Sequence, residues 1–586
     1  MVKTRVDPIT VELIRQALEA IVYEMGVALI RSAYSTNIKE RRDCSCALFD
    51  EAGHLIALAE HIPIHLGSMQ GLMSEIAHNI KDWNIKPKDV IIANDPYHGG
   101  GSHLPDVTLI QPFFFKDELL GFIANIAHWA DVGGRTPGVG TAGDSTEILQ
   151  EGIRIPPTHI VKEGVMQEEL LELLLLNMRN RSERFGDFRA QIASLLLGER
   201  RLKELYLHYD GEQIKESILD NYNYSERMLR NKITEIPEGN YKFLDYMDDD
   251  GIVQKPLKIR VKIKVKHGLK PTLTLDFSGT DPQTAGGINM VKAALFATVF
   301  YTVKAIIAPD IPFNAGFARP IHIFSPKKSL VNAREPSAVG GRTDTCQRVA
   351  DVIIGALYQA IPQKVIAASN GATTAVIFGG TEALSGKDFV YIEAIGGGMG
   401  ARSFKDGMDG VQVHITNTSN LPIEAMELEY PFQVMEYALV NDSGGPGTFR
   451  GGMAIRKEFK ALKPILFSAH SDRHKIRPWG LNEGLPGACG KFILNPGRSN
   501  QKVLPSKISG VLINENDILR IITAGGGGYG TPLERDPEKV KKDNILEKVS
   551  KDQALNSYGV VIDETREIDQ SATVRLRKKM RIIKED

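Results

Sequence analysis

Cysteine is scarce in this chain: Cys44, Cys46, Cys346 and Cys489 are the four thiols in 586 residues. So few cannot staple a chain of this length, which excludes a disulfide framework and fits a reducing compartment. Long apolar runs are missing as well. The most apolar stretch, residues 170–176, contains Glu172 and is far too short to span a bilayer. The start of the chain reads as an amphipathic helix, with no small-residue cleavage site after an apolar core, so a cytoplasmic protein is expected. Neither charge sign dominates, with Lys+Arg at 71 against Asp+Glu at 72. No basic stripe with interleaved aromatics is present, so nucleic acid and membranes are not expected partners.

A phosphate-binding loop is also lacking. No stretch fits G-x-x-x-x-G-K-[ST]: in "GLPGACGKF", Phe492 follows the Gly-Lys pair and Leu485 stands where the first glycine belongs. "GGGGYG" follows a strand-like segment but leads into Thr-Pro-Leu-Glu-Arg rather than a long helix, against a dinucleotide fold. These glycines read as tight turns and close backbone approaches. Any ATP site is expected on another chain.

What is present has clear periodicity. Asp7-Pro8 is a helix start, and Ile9, Leu13, Ala17, Ile21 and Met25 follow at helical spacing. "CSCALFDEAGHLIAL" reads as strand, turn, strand, and Cys44 and Cys46 would share a face. They read as two semi-buried thiols, with a zinc pair as the alternative. Residues 66–80 look helical and 89–95 look like a strand. "LIQPFFFKDELLGFIANIAHWAD" gives two strands around a Lys-Asp-Glu turn. Residues 167–233 are mostly helical. "LKIRVKIKVK" alternates as a half-buried antiparallel strand, with "PTLTLDFSGTD" as its partner. Helices are expected over 290–308 and 345–360, and beyond about Tyr391 the glycine-rich texture suggests β structure.

The chemistry concentrates in "NDPYHGGGSHLPDV", Asn94 to Val107, where His103 and Asp106 are three residues apart. A following strand ends with His128 and Asp131 at the same spacing. Two strand ends, each beside a glycine cluster, could converge on one divalent cation, with Asp131 orienting a ligand or acting as base. The alternative is that the aspartates cap turns and the histidines are satisfied polar groups. His98 is a further candidate ligand or acid–base group. Upstream, Arg41, Arg42 and Asp43 precede a strand, and His61 and His65 precede a helix. Arg41 and Arg42 suit an anionic group, and His65 a substrate near a helix N-terminus. A solvated ion pair and a packed helix-start histidine are the competing readings.

"NIKERRDCSCALFD", "EHIPIHLGSM", "NDPYHGGGSHLPDV", "AHWADVGG", "GGRTDTCQRVADVI" and "DILRIITAGGGGYGTPLERDPEKVKKD" together resemble the hydantoinase B / 5-oxoprolinase family, in order from Asp7 to Val561. Those proteins are B-type subunits of ATP-dependent hydantoin and lactam hydrolases, related to the metal-bearing subunit of acetone and acetophenone carboxylases. The resemblance implies one divalent metal ion (Zn, Mn, Fe or Co) held by His103, Asp106 and His128. Many relatives have a second histidine where this chain has Trp129. The resemblance also implies a hydantoinase A-type subunit that binds ATP, in a hetero-oligomer such as α2β2. In the implied mechanism the A-type subunit phosphorylates a cyclic amide, and metal-activated water opens the ring. Asp131, Asp95 or His98 would shuttle a proton, and Asp43, His65 and Arg41 would bind substrate. A ketone carboxylase subunit and a non-catalytic partner of the A-type subunit are the alternatives.

The expected architecture is mixed α/β (α+β) and multidomain. It divides into an N-terminal metal-bearing α/β region (1–165), a helical segment (166–236), a mixed α/β region (237–390), a β-rich, Gly-rich region (391–545) and a charged, loosely held C-terminal tail (546–586).

Overall fold

The computed structural model describes residues 6–59, 62–78, 83–138, 143–381 and 388–585. The helix Pro8–Ser32 begins where the sequence places it. Asp7 accepts the backbone N–H of Ile9 and Thr10, and Pro8 occupies the first turn, where its missing N–H costs nothing. Its buried face, including Ile14, Leu18, Met25 and Leu29, packs on the helix Arg181–His208. That helix belongs to the expected helical segment, which resolves into Glu168–Leu176, Arg181–His208 and Gly211–Thr234.

The N-terminal region is built on a seven-stranded antiparallel sheet. Its strands are β1 (Cys44–Asp50), β2 (Leu55–Ala59), β3 (Val90–Ala93), β4 (Asp106–Phe115), β5 (Glu118–His128), β6 (Thr158–Lys162) and β7 (Val165–Met166), in spatial order β2-β1-β5-β4-β3-β6-β7. Between β4 and β5 the chain turns at Lys116 and Asp117, both at positive φ (51° and 65°). That is the two-residue geometry whose twist matches a hairpin. Cys44 and Cys46 are buried free thiols on β1. Burial pushes the Cys46 thiol up to about 12 and Cys44 well above its ordinary value, so both stay protonated.

Strand Leu257–Lys266 pairs antiparallel with Thr272–Asp276, as its alternation predicts, and with Gly239–Met247 on its other edge. Two helices follow, Lys292–Ile307 and Arg342–Tyr358, the second starting three residues before the expected 345. The glycine-rich part forms two sheets. One joins Asp388–Ala394, Ala375–Thr381, Ile465–His470 and Lys507–Ile513. The other joins Phe432–Leu439, Ile455–Ala461, Ile518–Ile522, Lys491–Leu494 and Lys502–Leu504. Between them the glycine clusters stack backbone on backbone. A Cβ on Gly398 would lie 2.1 Å from the Gly452 oxygen and 2.2 Å from the Gly526 nitrogen.

Two features differ from the sequence reading. Residues beyond 546 are not a loose tail: helices Lys551–Tyr558 and Gln570–Glu585 form, and Val540, Val549, Ala554, Tyr558 and Val560 close a small core. Dense charge on the outward faces hid these few apolar positions. One hydrophobic core also runs continuously from Ile14 to Tyr529 across the expected divisions, and the strand Asp388–Ala394 crosses the one at 390/391. Among the described residues, no helix is long and apolar enough to cross a membrane.

Candidate metal centre

Sheet register assembles the centre. Asp106 opens β4 and His128 closes β5, and the two are direct cross-strand partners. Residues so paired have Cβ atoms about 5 Å apart, close enough to share one ligand. On the other side of β5, β1 starts one residue later, so the Asp43 carbonyl accepts the His128 N–H at 3.0 Å. The loop from Asn94 supplies His103. Asn94 pins it by donating to the carbonyls of Leu104 and Ile153 and accepting from the Ile155 N–H. Gly101, at φ +59°, lets the loop fold onto the strand end, since a Cβ there would lie 2.9 Å from the Asp106 Cβ.

His103, Asp106 and His128 are all buried, and one ligand atom from each lies within 4.8 Å of the others. His103 Nε2 is 3.1 Å from Asp106 Oδ1. The second carboxylate oxygen accepts from Ser102 Oγ (2.8 Å) and Arg342 Nη2 (3.0 Å). Burial alone would raise the Asp106 carboxyl, but His103 and Arg342 outweigh it and hold the group well below the usual range. Burial, and then the nearby His103, push His128 well below its ordinary value, so its imidazole is neutral. A carboxylate held ionised beside a neutral imidazole is the donor chemistry a divalent cation requires. Asn37 holds His128 in place. Its amide donates to the His128 carbonyl at 2.7 Å and lies 2.9 Å from Nδ1, while Arg41 donates to its oxygen at 2.8 Å.

Arg41, Asp43 and His65 line the same cavity as the three candidate ligands. His65 Nδ1 is 3.0 Å from Ser45 Oγ, and its Nε2 is 3.8 Å from both Asp43 and Asp106. Burial raises the Asp43 carboxyl, with His65 and Arg41 opposing. The Arg41 Nε is buried without a hydrogen-bond partner among the described residues. The far wall comes from the C-terminal half, through Thr373, Ile392, Thr416, Thr418 and His470.

The structure does not bring Asp131, Asp95 or His98 into this cavity. Asp131 is locked by the N–H groups of Gly133, Gly138 and Arg179 and by the Arg179 guanidinium at 3.1 Å. Asp95 pairs with Arg154 at 2.7 Å and caps its own loop through the Tyr97 N–H. His98 is half exposed, 3.2 Å from Asp95. None of the three lines the cavity that holds the trio. His61 lies outside the described residues. Trp129 points into the core and donates to Gln191 at 2.9 Å, away from the cavity.

Sequence reading assigned no role to Asn37, Arg342, Asp344 or His470. The first three lie in "NIKERRD" and "GGRTDTC", where they accompany other polar residues with no distinguishing spacing.

A family model described as hydantoinase B/oxoprolinase matches residues 7–532. A protein from a Pseudomonas strain, named as the B-type subunit of a D-/L-hydantoinase, is 36% identical over 98% of each chain. A 5-oxoprolinase of Dictyostelium discoideum is 34% identical over 90% of this chain, which spans 41% of that longer protein. The crystal structure of an ATP-dependent caprolactamase from Pseudomonas jessenii superposes with a TM-score of 0.92 at 29% identity, covering 98% of this chain and 100% of that one. A nucleotide-free acetone carboxylase structure superposes at 0.90 with 18% identity, over 99% and 83% of the two chains, a likeness of fold.

Proposed function

The chain belongs to the hydantoinase B/oxoprolinase family, and on that footing we propose that it is the ring-opening subunit of an ATP-dependent cyclic-amide hydrolase. The observation that carries this reading is the meeting of His103, Asp106 and His128 at two paired strand ends, inside a cavity closed by the C-terminal half. Their donor set fits one divalent cation, and imidazole with carboxylate suits Zn, Mn, Fe or Co. When bound, such a cation supplies a Lewis acid that acidifies water and polarises the bond under attack.

The chain's own residues arrange the rest. Arg342 and Ser102 keep Asp106 oriented and ionised, and Asn37 fixes the His128 ring. Arg41 offers an unpartnered Nε to an anionic group on the substrate, such as the phosphoryl that activation would add. Thr373 and Thr418, whose buried hydroxyls have no hydrogen-bond partner among the described residues, offer them to amide groups, while Ile62, Ile64 and Ile392 exclude bulk water. Asp43 and His65, facing each other at 3.8 Å, stand beside the trio as substrate-orienting groups.

Activation is assigned to a partner. This chain's glycine clusters are engaged in backbone stacking rather than facing a nucleotide. Its match covers 98% of the hydantoinase relative but 41% of a 5-oxoprolinase, which favours an A-type subunit supplying the remainder. In this reading the A-type subunit phosphorylates the amide oxygen with ATP and the activated ring enters this cavity.

Reconstitution with an A-type subunit tests the proposal. ATP plus 5-oxoproline, hydantoin or a larger lactam should yield the ring-opened acid, and Asp106→Ala should abolish it. Turnover of a ketone with bicarbonate instead would replace the hydrolase by a carboxylase. Full activity with Asp106→Ala would leave this chain a structural partner.

A further inference from the structure

Ring opening needs a proton for the departing nitrogen, because an amine expelled as its anion is far too basic to leave near neutral pH. The cavity side chains that exchange protons can be sorted. Arg41 and Arg342 stay charged. His65 stands 3.8 Å from both Asp43 and Asp106, which ties this pair to the ligand group. His470 remains, on the opposite wall.

His470 ends the strand Ile465–His470 and is 2% exposed. Its Nδ1 lies 2.8 Å from Asp344 Oδ2. Asp344 is fully buried in the first turn of the helix Arg342–Tyr358, and its other oxygen accepts the Thr373 N–H at 2.9 Å. A carboxylate fixed at both oxygens keeps a proton on Nδ1 and orients the ring. Among the described residues Nε2 has no hydrogen-bond partner, so it is the nitrogen left for the cavity. The cavity that His470 lines also holds Arg41, Arg342, Asp43, Asp106, His65, His103 and His128, and its cross-strand neighbour Lys507 is paired with Asp472 at 3.0 Å.

We propose that His470 is the general acid that protonates the leaving ring nitrogen, with Asp344 as its positioning residue. The inference rests on the cyclic-amide hydrolase reading and deepens it. In the tetrahedral adduct of water with the activated ring carbon, the C–N bond breaks and its electron pair passes to nitrogen. The Nε2 proton of the doubly protonated ring forms the new N–H bond, while the adduct oxyanion re-forms C=O and leaves an acyl phosphate, which a second water cleaves to the carboxylate and inorganic phosphate. His470 is left neutral, its Nδ1–H still on Asp344, and regains a proton from water before the next turnover.

The test uses the assembly with its A-type subunit, supplied with ATP and the cyclic amide that wild type opens fastest. ADP release and ring-opened product are measured separately from pH 6 to 9. His470→Gln should lower ring-opening kcat by about 10²–10⁴-fold with little change in KM. Bound metal should stay at the wild-type level, ADP should form in excess of product, and the pH dependence of kcat should differ from that of the wild type. His470→Gly with added imidazole should recover part of the rate, which a purely structural histidine would not allow. Asp344→Asn should fall between wild type and His470→Gln, with an altered pH profile. Unchanged kcat and pH profile in His470→Gln, or loss of metal together with activity, would overturn the inference alone. A wild-type assembly that opens no cyclic amide would overturn the hydrolase reading, and this inference with it.

Discussion

Asn37 illustrates how much of the centre depends on residues that touch no ligand. It bridges Arg41 to the His128 carbonyl and ring, so Asn37→Ala frees the imidazole to rotate. Losing such an outer partner costs metal affinity by about 10–100-fold. Titration of the metal-free variant should show that weakening with the fold unchanged by circular dichroism. A second residue sets acid sensitivity. Burial, reinforced by Lys507, holds His474 at about 4 against an ordinary 6.5. The unfolded chain therefore takes up a proton between those values that the folded chain does not. The stability this ring contributes is complete above 6.5 and lost as pH falls toward 4. The Tm should drop across that window, and His474→Phe, which keeps the edge contact with Phe492 at 4.8 Å, should flatten the slope. At this scale the trio was legible because His-x-x-Asp sits at a strand end. Arg342 was not, since it reaches Asp106 from 236 residues away. Asp95 and Asp131 resembled catalytic acids because sequence does not reveal the Arg154 and Arg179 that neutralise them.

The hairpin of β4 and β5 is the element that makes the centre. A slip of one residue would turn Asp106 and His128 to opposite faces, so the Lys116-Asp117 turn and the apolar strand faces together fix the ligand geometry. The helix His65–His78 matters for the same reason, because its first residue faces Asp43 and Asp106. It packs on Lys292–Ile307 at backbone distance: a Cβ on Gly67 would lie 2.6 Å from the Ala297 nitrogen and 2.8 Å from the Ala293 oxygen. Backbone cannot yield as a side chain can. Gly67→Ala should therefore destabilise the protein by about 1–3 kcal/mol, seen as a lower Tm, and should displace His65 enough to raise KM. Strand alternation and helical spacing made most elements readable, including Leu257–Lys266 and its partner. The start of Arg342–Tyr358 was missed because Gly341 provides no side-chain cap to signal it.

The whole molecule places a ligand-bearing strand end from its first half under a wall from its second. His470, Thr373 and Thr416 close the cavity over residues more than two hundred positions earlier, which composition and local pattern cannot convey. The same long-range packing merges the expected segments into one core and stacks glycine clusters from distant parts of the chain backbone on backbone. Strand alternation and helical spacing conveyed the mixed α/β class; the pocket's far side needed the fold. The central claim is that the first half of this chain carries a cation at His103, Asp106 and His128. Elemental mass spectrometry of the purified wild type beside Asp106→Ala, with Asp106→Asn as the isosteric control, tests it most directly. The account predicts about one divalent ion per wild-type chain and its loss from both folded variants. No metal in the wild type after loading, or equal metal in all three, would contradict it.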